Sequence, residues 1–401
     1  MHKDCKPLRI ALVTYALRLG GVETFLQNIA VHFRSLGHDV SFVETEEKGE
    51  WSELTRQLGF PVISITRQGW LTRRMHCNKV ASCLKGFDAL LINDSPLAMA
   101  VLGLLSASTV SIPVLHNAIP SMIANATAGG TEWQRLVTVA PGLLDDLRKR
   151  KVAEEARMTC IPNGVPVYPP RTQRNDSADP LSIIYVGRLE QEQKNIFAIP
   201  KILESVIRAG VSIQIDIVGD GPDAARLRGM LESSGANWTM SGLLSREDTI
   251  RRMQAADVLL MPSRYEGLPM TLLEAMSCGM VPVVSRLEGS TDVVVEHGVS
   301  GFLVNTLDDS SFSEALIRLA KDRILLTTMS LSAQETIRAR FSIEFMASAY
   351  LRLIYTCRNE VQKMPPNRTK RIDFSLLGNF SRIPYALVRP LRKVLRSIGL
   401  H

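Results

Sequence analysis

The chain has few cysteines, and none of them are paired along the sequence. The six cysteines are scattered, and no two form the Cys-x-x-Cys motif that is typical of zinc sites and redox pairs. The sequence therefore indicates neither a metal centre nor a disulfide framework, and it suits a reducing compartment. The stretch before Arg9 also lacks the apolar segment of a signal peptide, so we expect the chain to start in the cytosol.

Several catalytic motifs are also missing. The sequence contains no Asp-x-Asp pair, no Gly-x-Ser-x-Gly elbow and no Walker A motif. These absences disfavour a metal-dependent sugar transferase, a serine hydrolase and a P-loop kinase. The segment Gly219 to Ala224 fits the loose dinucleotide pattern, but Trp238 to Ser241 offers no acid for a ribose at the usual distance. NAD binding is therefore weakly supported.

No apolar run is both long enough and free enough of polar residues to predict a membrane span. One uncharged run, Leu97 to Leu115, reaches the required length, but it contains Ser106, Thr109 and Pro113. We expect it to divide into a buried helix and a strand.

Acidic residues are scarce in two parts of the chain, although the net charge of the whole is only +7. From Lys363 to His401, nine Lys or Arg residues stand against the single acid Asp373, and the rest of the chain is close to neutral. No acid occurs between Glu53 and Asp88, a stretch with six cations: Arg56, Arg67, Arg73, Arg74, Lys79 and Lys85. By charge alone such patches suit nucleic acid, anionic lipid or phosphorylated substrates. No nucleic-acid-binding motif accompanies them, so we expect no nucleic-acid partner.

Short apolar runs recur along both halves of the chain. They are continuous rather than alternating, which is typical of parallel strands covered by helices on both faces. The expected strands are 10–14, 39–44, 61–65, 88–92, 110–115 and 136–139 in the first half, and 183–188, 213–218, 238–241, 258–261 and 281–284 in the second. We therefore expect an α/β fold of two doubly wound, Rossmann-like domains that face each other across a crevice.

Breaks in this pattern predict the domain boundaries. The first domain is expected at 1–165 and the second at 183–340, joined by a Pro-rich and polar linker at 166–182. One long helix is expected at 341–362, and the basic tail follows at 363–401.

The segment from Pro262 to Gly279 carries the strongest functional signal. Pro269 suits the first turn of a helix and Gly279 the residue just past its end, so we expect a helix from about Leu268 to Cys278. Glu274 lies little more than one turn inside it, near a buried sheet edge where a carboxylate needs partners such as a vicinal diol. The free amides at the helix start can hold an anion such as a diphosphate: Met270, Thr271 and Leu272.

Glu266 and Glu274 belong to one signature. The first of them lies in the run Tyr-Glu-Gly-Leu-Pro, and the second follows eight positions later. This spacing and context resemble the retaining GT-B glycosyltransferases of family 4, the glycosyl transferases group 1. The resemblance covers about residues 8–360 and is dense from 183 to 304. It implies the GT-B fold, with the first domain on the acceptor side and the long helix returning to it. The alternative is a helix with one capping and one structural carboxylate.

The resemblance assigns roles to these residues. It implies that Glu266 holds the hydroxyls of the transferred sugar and that Glu274 holds the donor's ribose. His116 matches the position that reaches the transferred sugar near its 6-hydroxyl, although a lone histidine after a strand is more often structural. Glu266 and His116 are therefore the expected catalytic residues. The expected donor-binding backbone surrounds the helix start: Gly267, Leu268, Met270, Thr271 and Leu272.

Two cations are expected to bind the donor diphosphate. Arg188 and Lys194 flank the loop after the first strand of the second domain, and they are similar to the family's diphosphate clamp. Charge-assisted bonds of roughly 1.5–3 kcal/mol each would stabilise the departing diphosphate. The alternative is a solvated loop of mixed charge, because Glu190 and Glu192 lie between the two cations.

Two further backbone positions are expected in the donor site. Gly20 and Gly21 stand where a strand end meets a helix, and they allow a close approach to phosphate, although such a turn is often only a tight corner. The resemblance implies that the Gly21 amide faces the diphosphate. Leu243 lies in the loop that resembles the one holding the base, mostly through backbone groups.

The expected function is transfer of a hexose-type sugar from a UDP- or GDP-sugar to a sugar or lipid-linked hydroxyl acceptor, with retention, in surface polysaccharide or glycolipid assembly. No metal or other cofactor is expected, because the two cations, the Gly21 amide and the helix start supply the positive field. Two alternatives stay open. One is a sugar phosphorylase or nucleotide-sugar epimerase on the same fold, and the other is a non-catalytic nucleotide-sugar-binding protein.

The basic tail has a helical pattern that suits a membrane surface. On a helix its cations gather on one face and its apolar residues form a stripe: Leu387, Leu391, Val394, Leu395 and Ile398. We expect this tail to contact an anionic membrane peripherally, at its inner face. Pro390 counts against an unbroken helix. The alternative is that the stripe packs on the body of the protein.

Overall fold

The computed structural model describes residues 6–363 apart from 19, 129, 131 and 170–179, and then 368–373, 375 and 386. The chain divides into two compact units. The first unit comprises Met1–Val139, Leu143–Pro162 and Met346–His401, and the second comprises Ala140–Gly142 and Asn163–Phe345. Within the described residues, no helix combines the length and the apolar character that a membrane span requires.

The first unit is built on parallel strands, and most of their residues are buried. The strands are β1 (Arg9–Thr14), β2 (Asp39–Glu44), β3 (Val62–Ser64), β4 (Ala89–Asn93), β5 (Val110–Leu115), β6 (Leu136–Thr138) and β7 (Met158–Cys160). In the described residues they form one sheet in the order β3-β2-β1-β4-β5-β6-β7. Parallel strands need helical crossovers, which explains why both faces of this sheet are covered.

Six helices follow these strands in the described part of the first half. They are α1 (Gly21–Ser35), α2 (Ser52–Gln57), α3 (Arg73–Leu84), α4 (Pro96–Ala100), α5 (Pro120–Thr127) and α6 (Pro141–Lys149). The uncharged run 97–115 divides as predicted: α4 and a 3₁₀ turn at Leu102–Leu104 precede β5. Its apolar residues are buried in the core of the unit.

The second unit repeats this architecture with a smaller sheet. Its strands are β8 (Leu181–Val186), β9 (Ile213–Val218), β10 (Asn237–Gly242), β11 (Val258–Met261), β12 (Val281–Ser285) and β13 (Phe302–Val304). All described pairings are parallel, and the order is β10-β9-β8-β11-β12-β13. The helices are α7 (Gln191–Lys194), α8 (Ala198–Arg208), α9 (Ala224–Glu232), α10 (Arg246–Ala255), α11 (Met270–Ser277), α12 (Asp309–Lys321) and α13 (Arg323–Arg340).

The carboxyl end of β8 forms a tight glycine crossing. β8 ends at Val186, two residues before the predicted end, because Gly187 turns the chain with a φ of 158°. Gly219 follows β9 with a φ of 137°, and a Cβ atom built there would overlap the carbonyl oxygen of Gly187. Only glycine fits both the conformation and the close approach at position 219. This crossing sets the start of the loop that contains Arg188 and Lys194.

The last long helix, α14 (Ile343–Lys363), packs into the first unit. Its buried face contains Tyr350, Ile354 and Cys357, and the Tyr350 ring centroid lies 5.8 Å from that of Phe25 on α1. Arg358 forms an ion pair with Asp88 at 3.3 Å. The periodic apolar stripe of this helix therefore completes the core of the first unit.

The segment Arg368 to Asp373, which we call the strap, lies against the first unit. Arg368 is buried with Glu132: their side chains are 4% and 8% exposed, and the charged atoms are 3.5 Å apart. The Lys370 amide donates to the Gly103 carbonyl at 3.0 Å and the Asp373 amide to the Ala100 carbonyl at 2.8 Å. Within the predicted basic tail 363–401, Arg368 is therefore a buried cation and not a surface charge. The predicted stripe 387–398 lies outside the described residues.

Candidate functional site

The start of α11 presents two unoccupied backbone donors. Pro269 is the residue before the helix, with φ −70° and ψ 115°, so α11 begins two residues later than predicted. Within the described residues, the amides of Met270 and Thr271 have no acceptor. The Leu272 amide, in contrast, donates to the Pro269 carbonyl at 3.1 Å, so the prediction that it is free is wrong. Two parallel amides at a helix end are a site for an anionic group.

The loop before α11 places Glu266 directly against Lys194. The Nζ atom of Lys194 lies 2.6 Å from Oε1 of Glu266, and Nε2 of Gln193 donates to Oε2 at 3.3 Å. The Glu266 side chain is only 7% exposed. Both carboxylate oxygens therefore have charged or polar donors, as a buried carboxylate requires. The resemblance implied separate roles for Lys194 and Glu266, whereas in the structure they form an ion pair.

Glu274 also has a cationic partner, which the sequence analysis missed. Nη2 of Arg246, the first residue of α10, lies 3.5 Å from Oε1 of Glu274. Burial raises the pKa of the Glu274 carboxyl, and the Arg246 charge opposes that rise. The Tyr168 ring lies in the same cluster, where burial raises the pKa of its hydroxyl to about 12. No motif predicts this pair, because α10 and α11 are brought together only by tertiary packing.

Arg188 is placed differently from Lys194. Its side chain is 68% exposed, and its Nε atom lies 3.4 Å from Oε2 of Glu190. Its carbonyl oxygen is fixed by the hydroxyl of Tyr185, which donates to it at 2.9 Å. The backbone of this loop is thus anchored, while the guanidinium reaches into solvent. The predicted role of Arg188 at a diphosphate stays a prediction.

The other predicted donor residues line the same end of the second sheet. The carbonyl of Gly267 accepts a hydrogen bond from the buried hydroxyl of Ser290. Leu268 is buried. Leu243 follows β10 and is exposed, and the nearby Ser241 hydroxyl donates to Asp216 at 2.6 Å. The carboxyl ends of parallel strands meet at this edge, which is where ligands of such sheets bind.

In the first unit, α1 begins at Gly21, so the predicted glycine turn includes the first residue of the helix. Gly20 precedes it in an extended conformation, and its carbonyl accepts from the Thr24 amide at 3.2 Å. Among the described residues, the Gly21 and Val22 amides have no acceptor. Glu23 is buried and accepts from the Arg18 amide at 3.0 Å, and burial raises its pKa. The helix start therefore has free donors beside a carboxyl group whose charge is disfavoured.

His116 follows β5 and lies against Phe25, with ring centroids 5.0 Å apart. Its Nε2 atom is 2.8 Å from Oδ1 of Asn93. The Asn93 amide nitrogen donates to the carbonyls of Val13 and Leu91, so Oδ1 is the acceptor and Nε2 of His116 carries the proton. Burial lowers the pKa of His116 to about 4. The ring is therefore neutral near pH 7, with Nδ1 as an acceptor.

Comparison with known protein families identifies both halves of the chain. Residues 171–336 match the family described as glycosyl transferases group 1. Residues 19–167 match glycosyltransferase family 4. The chain belongs to the group 1 glycosyltransferases. The family predicted from the glutamate signature is thereby confirmed, and the protein is a glycosyltransferase enzyme.

Curated relatives of this glycosyltransferase are between a quarter and a third identical to it over the aligned residues. A GDP-mannose-dependent monoacylated alpha-(1-6)-phosphatidylinositol monomannoside mannosyltransferase of Corynebacterium glutamicum is 26% identical over 358 residues, covering 82% of this chain and 92% of that protein. A UDP-Gal:alpha-D-GlcNAc-diphosphoundecaprenol alpha-1,3-galactosyltransferase of Escherichia coli is 29% identical over 209 residues, covering 49% of this chain and 53% of that protein.

Solved structures show that this glycosyltransferase has the GT-B fold. Anabaena HepE, crystallised with UDP and glucose, superposes with a TM-score of 0.72 at 17% identity and covers 87% of this chain and 100% of its own. TarM superposes with a TM-score of 0.75 at 11% identity and covers 88% of this chain and 100% of its own. The predicted fold class is confirmed. At such low identity the likeness shows the fold alone.

Proposed function

We propose that this glycosyltransferase moves a hexose-type sugar from a UDP- or GDP-sugar to a hydroxyl acceptor with retention of the anomeric configuration, in glycolipid or surface polysaccharide assembly. The observation that carries the proposal is the arrangement around α11. Two free amides open the helix, Glu274 lies one turn further with its charge opposed by Arg246, and Glu266 precedes the helix beside Lys194.

Each group has a role in this proposal. The amides of Met270 and Thr271 bind the donor diphosphate, with the Lys194 and Arg188 charges nearby on one loop. Glu274 accepts from the ribose hydroxyls, and Glu266 accepts from the hydroxyls of the transferred sugar. The roles of Gly21 and His116 at the donor stay predictions, and within the first unit His116 presents a neutral acceptor at Nδ1. The donor and acceptor classes agree with those that the names of the two curated relatives print.

Donor binding tests the proposal directly. We expect UDP or GDP to raise the thermal unfolding midpoint of the parent protein, because a ligand that binds only the folded state stabilises it. Glu274→Ala should abolish most of this shift and lower turnover by about 10²-fold or more, by analogy with loss of one preorganised polar contact. The exposed Glu204, which pairs with Arg208 on α8, supplies the matched control Glu204→Ala, which should behave as the parent.

Two results would contradict this function. If UDP, GDP and their sugars all leave the thermal unfolding midpoint unchanged, the proposed donor site is refuted. Turnover that requires phosphate and no acceptor hydroxyl would favour a phosphorylase.

We also propose that transfer needs no metal ion. The basis is the missing Asp-x-Asp motif together with the two cations Arg188 and Lys194 on the loop after β8. Treatment with a chelator should leave turnover unchanged, whereas Arg188→Ala combined with Lys194→Ala should abolish it. Added Mg²⁺ or Mn²⁺ should not restore the double variant. Loss of turnover in the chelated parent protein would refute this account.

The proposed membrane contact has to start beyond the strap. A truncation after residue 360 would remove Arg368 from its buried pair with Glu132, so a loss of function could reflect unfolding. Truncation after residue 375 keeps the strap and removes the predicted stripe 387–398. We expect this variant to lose flotation with anionic liposomes at low salt, while its thermal stability is kept. If the truncated variant still floats with the liposomes, the tail is not the membrane contact, and the cations at 67–85 become the next candidates.

A further inference from the structure

The buried cluster around Glu274 joins three elements of the second unit. Glu274 on α11 is 13% exposed and pairs with Arg246 on α10. Tyr168 comes from the segment before β8, and its amide donates to the Ser277 hydroxyl oxygen at 3.3 Å. Cys278 follows α11, and burial together with the nearby Glu274 charge raises the pKa of its thiol. The cluster is therefore fixed by packing and not by a flexible surface contact.

Arg246 is the cation among these groups. Burial and neighbouring charges raise the pKa of both Tyr168 and Cys278 to about 12, so both are neutral near pH 7. Helix α13 packs against α11 as well, and its contact there is uncharged: the Nε2 atom of Gln334 donates to the Ser277 carbonyl at 3.0 Å.

Two other arginines of α10 pair elsewhere. Arg251 pairs with Asp248 at 2.5 Å and Arg252 with Asp216 at 3.5 Å. The buried face of β12, which α11 covers, is apolar apart from Ser285. The charge on Glu274 is thus compensated from α10 by Arg246.

The charged form of Glu274 matters for a ribose. A vicinal diol offers two O–H donors, and a carboxylate can accept from both of them. A protonated carboxyl group has one oxygen that carries hydrogen, so it is a poorer match for two donors. Because burial favours protonation of Glu274, the site needs a compensating cation close to the carboxylate.

We propose that Arg246 is a positioning residue, which keeps the Glu274 carboxylate charged and oriented to accept from the hydroxyls of the donor's ribose. This inference rests on the proposed role of Glu274 in donor binding. Arg246 acts through Glu274 and needs no contact with the transferred sugar. Its contribution is therefore to ground-state donor affinity, and it depends on pH.

The test compares Arg246→Met with the conservative variant Arg246→Lys. Methionine keeps an extended side chain without the charge, and lysine keeps the charge. Calorimetry with UDP and with GDP from pH 5 to 8 gives the ratio of each variant's Kd to that of the parent. This ratio cancels the titration of the ligand's own phosphate, which falls in the same range.

We expect the Arg246→Met ratio to stay near one at pH 8 and to rise by about tenfold towards pH 5. Without the Arg246 charge, burial raises the pKa of Glu274 further, so a smaller fraction of the carboxyl group is charged as the pH falls. Arg246→Lys should keep the ratio near one throughout. Glu274→Gln, which cannot titrate, should weaken binding without this pH dependence. Arg246→Met should add nothing in the Glu274→Gln background.

Three outcomes would overturn the inference. A ratio for Arg246→Met that does not change with pH would show that Arg246 does not control the charge of Glu274. An effect of Arg246→Met that persists in the Glu274→Gln background would show that Arg246 contacts the ligand itself. If the parent binds neither nucleotide, or if Glu274→Gln binds both as well as the parent does, the proposed donor site fails and the inference fails with it. Circular dichroism of each variant separates these outcomes from a loss of folding.

Discussion

Replacing Glu266 with glutamine should lower turnover by about 10²–10³-fold, the size of effect seen when one preorganised polar contact to the reacting group is lost. Affinity for UDP or GDP should change little, because neither nucleotide contains the transferred sugar. In the structure, Glu266 is nearly buried, and it pairs with Lys194 at 2.6 Å and with Gln193 at 3.3 Å. These two donors fix the carboxylate before a substrate arrives, which is the condition for preorganisation.

The measurement is kcat and KM for the donor beside calorimetry with the nucleotide alone. Glu190→Gln in the loop after β8 supplies a matched control, because Glu190 pairs with the exposed Arg188. It should retain nearly all turnover, since exposed ion pairs contribute little. If Glu266→Gln loses nucleotide affinity as strongly as Glu274→Ala does, then the division of roles between the two glutamates is wrong.

The second large expected effect is on stability, and it concerns the buried pair of Arg368 and Glu132. Glu132→Ala should lower the free energy of unfolding of the first unit by about 3–5 kcal/mol, because it leaves a buried guanidinium without its counter-charge. The Arg368 side chain is only 4% exposed, and its Nη2 atom also donates to the Thr109 carbonyl at 2.9 Å. The cation therefore has no route to solvent without detaching the strap.

Urea unfolding followed by circular dichroism checks this prediction. Glu155→Ala is the matched control: Glu155 pairs with Arg148 at 2.9 Å but is 74% exposed, so its loss should cost about 0–1 kcal/mol. Combining Glu132→Leu with Arg368→Met should recover much of the stability, because two apolar residues leave no buried charge. Equal destabilisation by Glu132→Ala and Glu155→Ala would show that the strap contributes nothing.

The sequence predicted the strands well where apolar residues run continuously. β2, β5, β9 and β11 have the predicted bounds, because apolar residues make up at least half of each strand and most of them are buried in a parallel sheet. The two strands that were not predicted, β7 and β13, have three residues each. Such short runs cannot be distinguished from loop segments by periodicity.

The pairings of the candidate site could not be predicted in the same way. Lys194 and Glu266 are separated by 72 positions and Arg246 and Glu274 by 28, and each pair depends on which loops and helices the fold brings together. Hydrophobic patterns locate a helix or strand but say nothing about the partner of a polar side chain. Arg368 shows the same limit: it looks like one more tail cation, and its burial depends on Glu132, 236 positions away.

The division of the first unit along the chain has a consequence for synthesis on the ribosome. Its core is closed by α14 and the strap, which are translated after the whole second unit. The second unit can therefore complete its fold first. Until α14 is synthesised, Phe25 of α1 lacks its contact with Tyr350. The nascent first half exposes an apolar surface during that delay and is open to chaperones. A fragment of the first unit intended for separate expression would have to join residues 1–162 to 346–375.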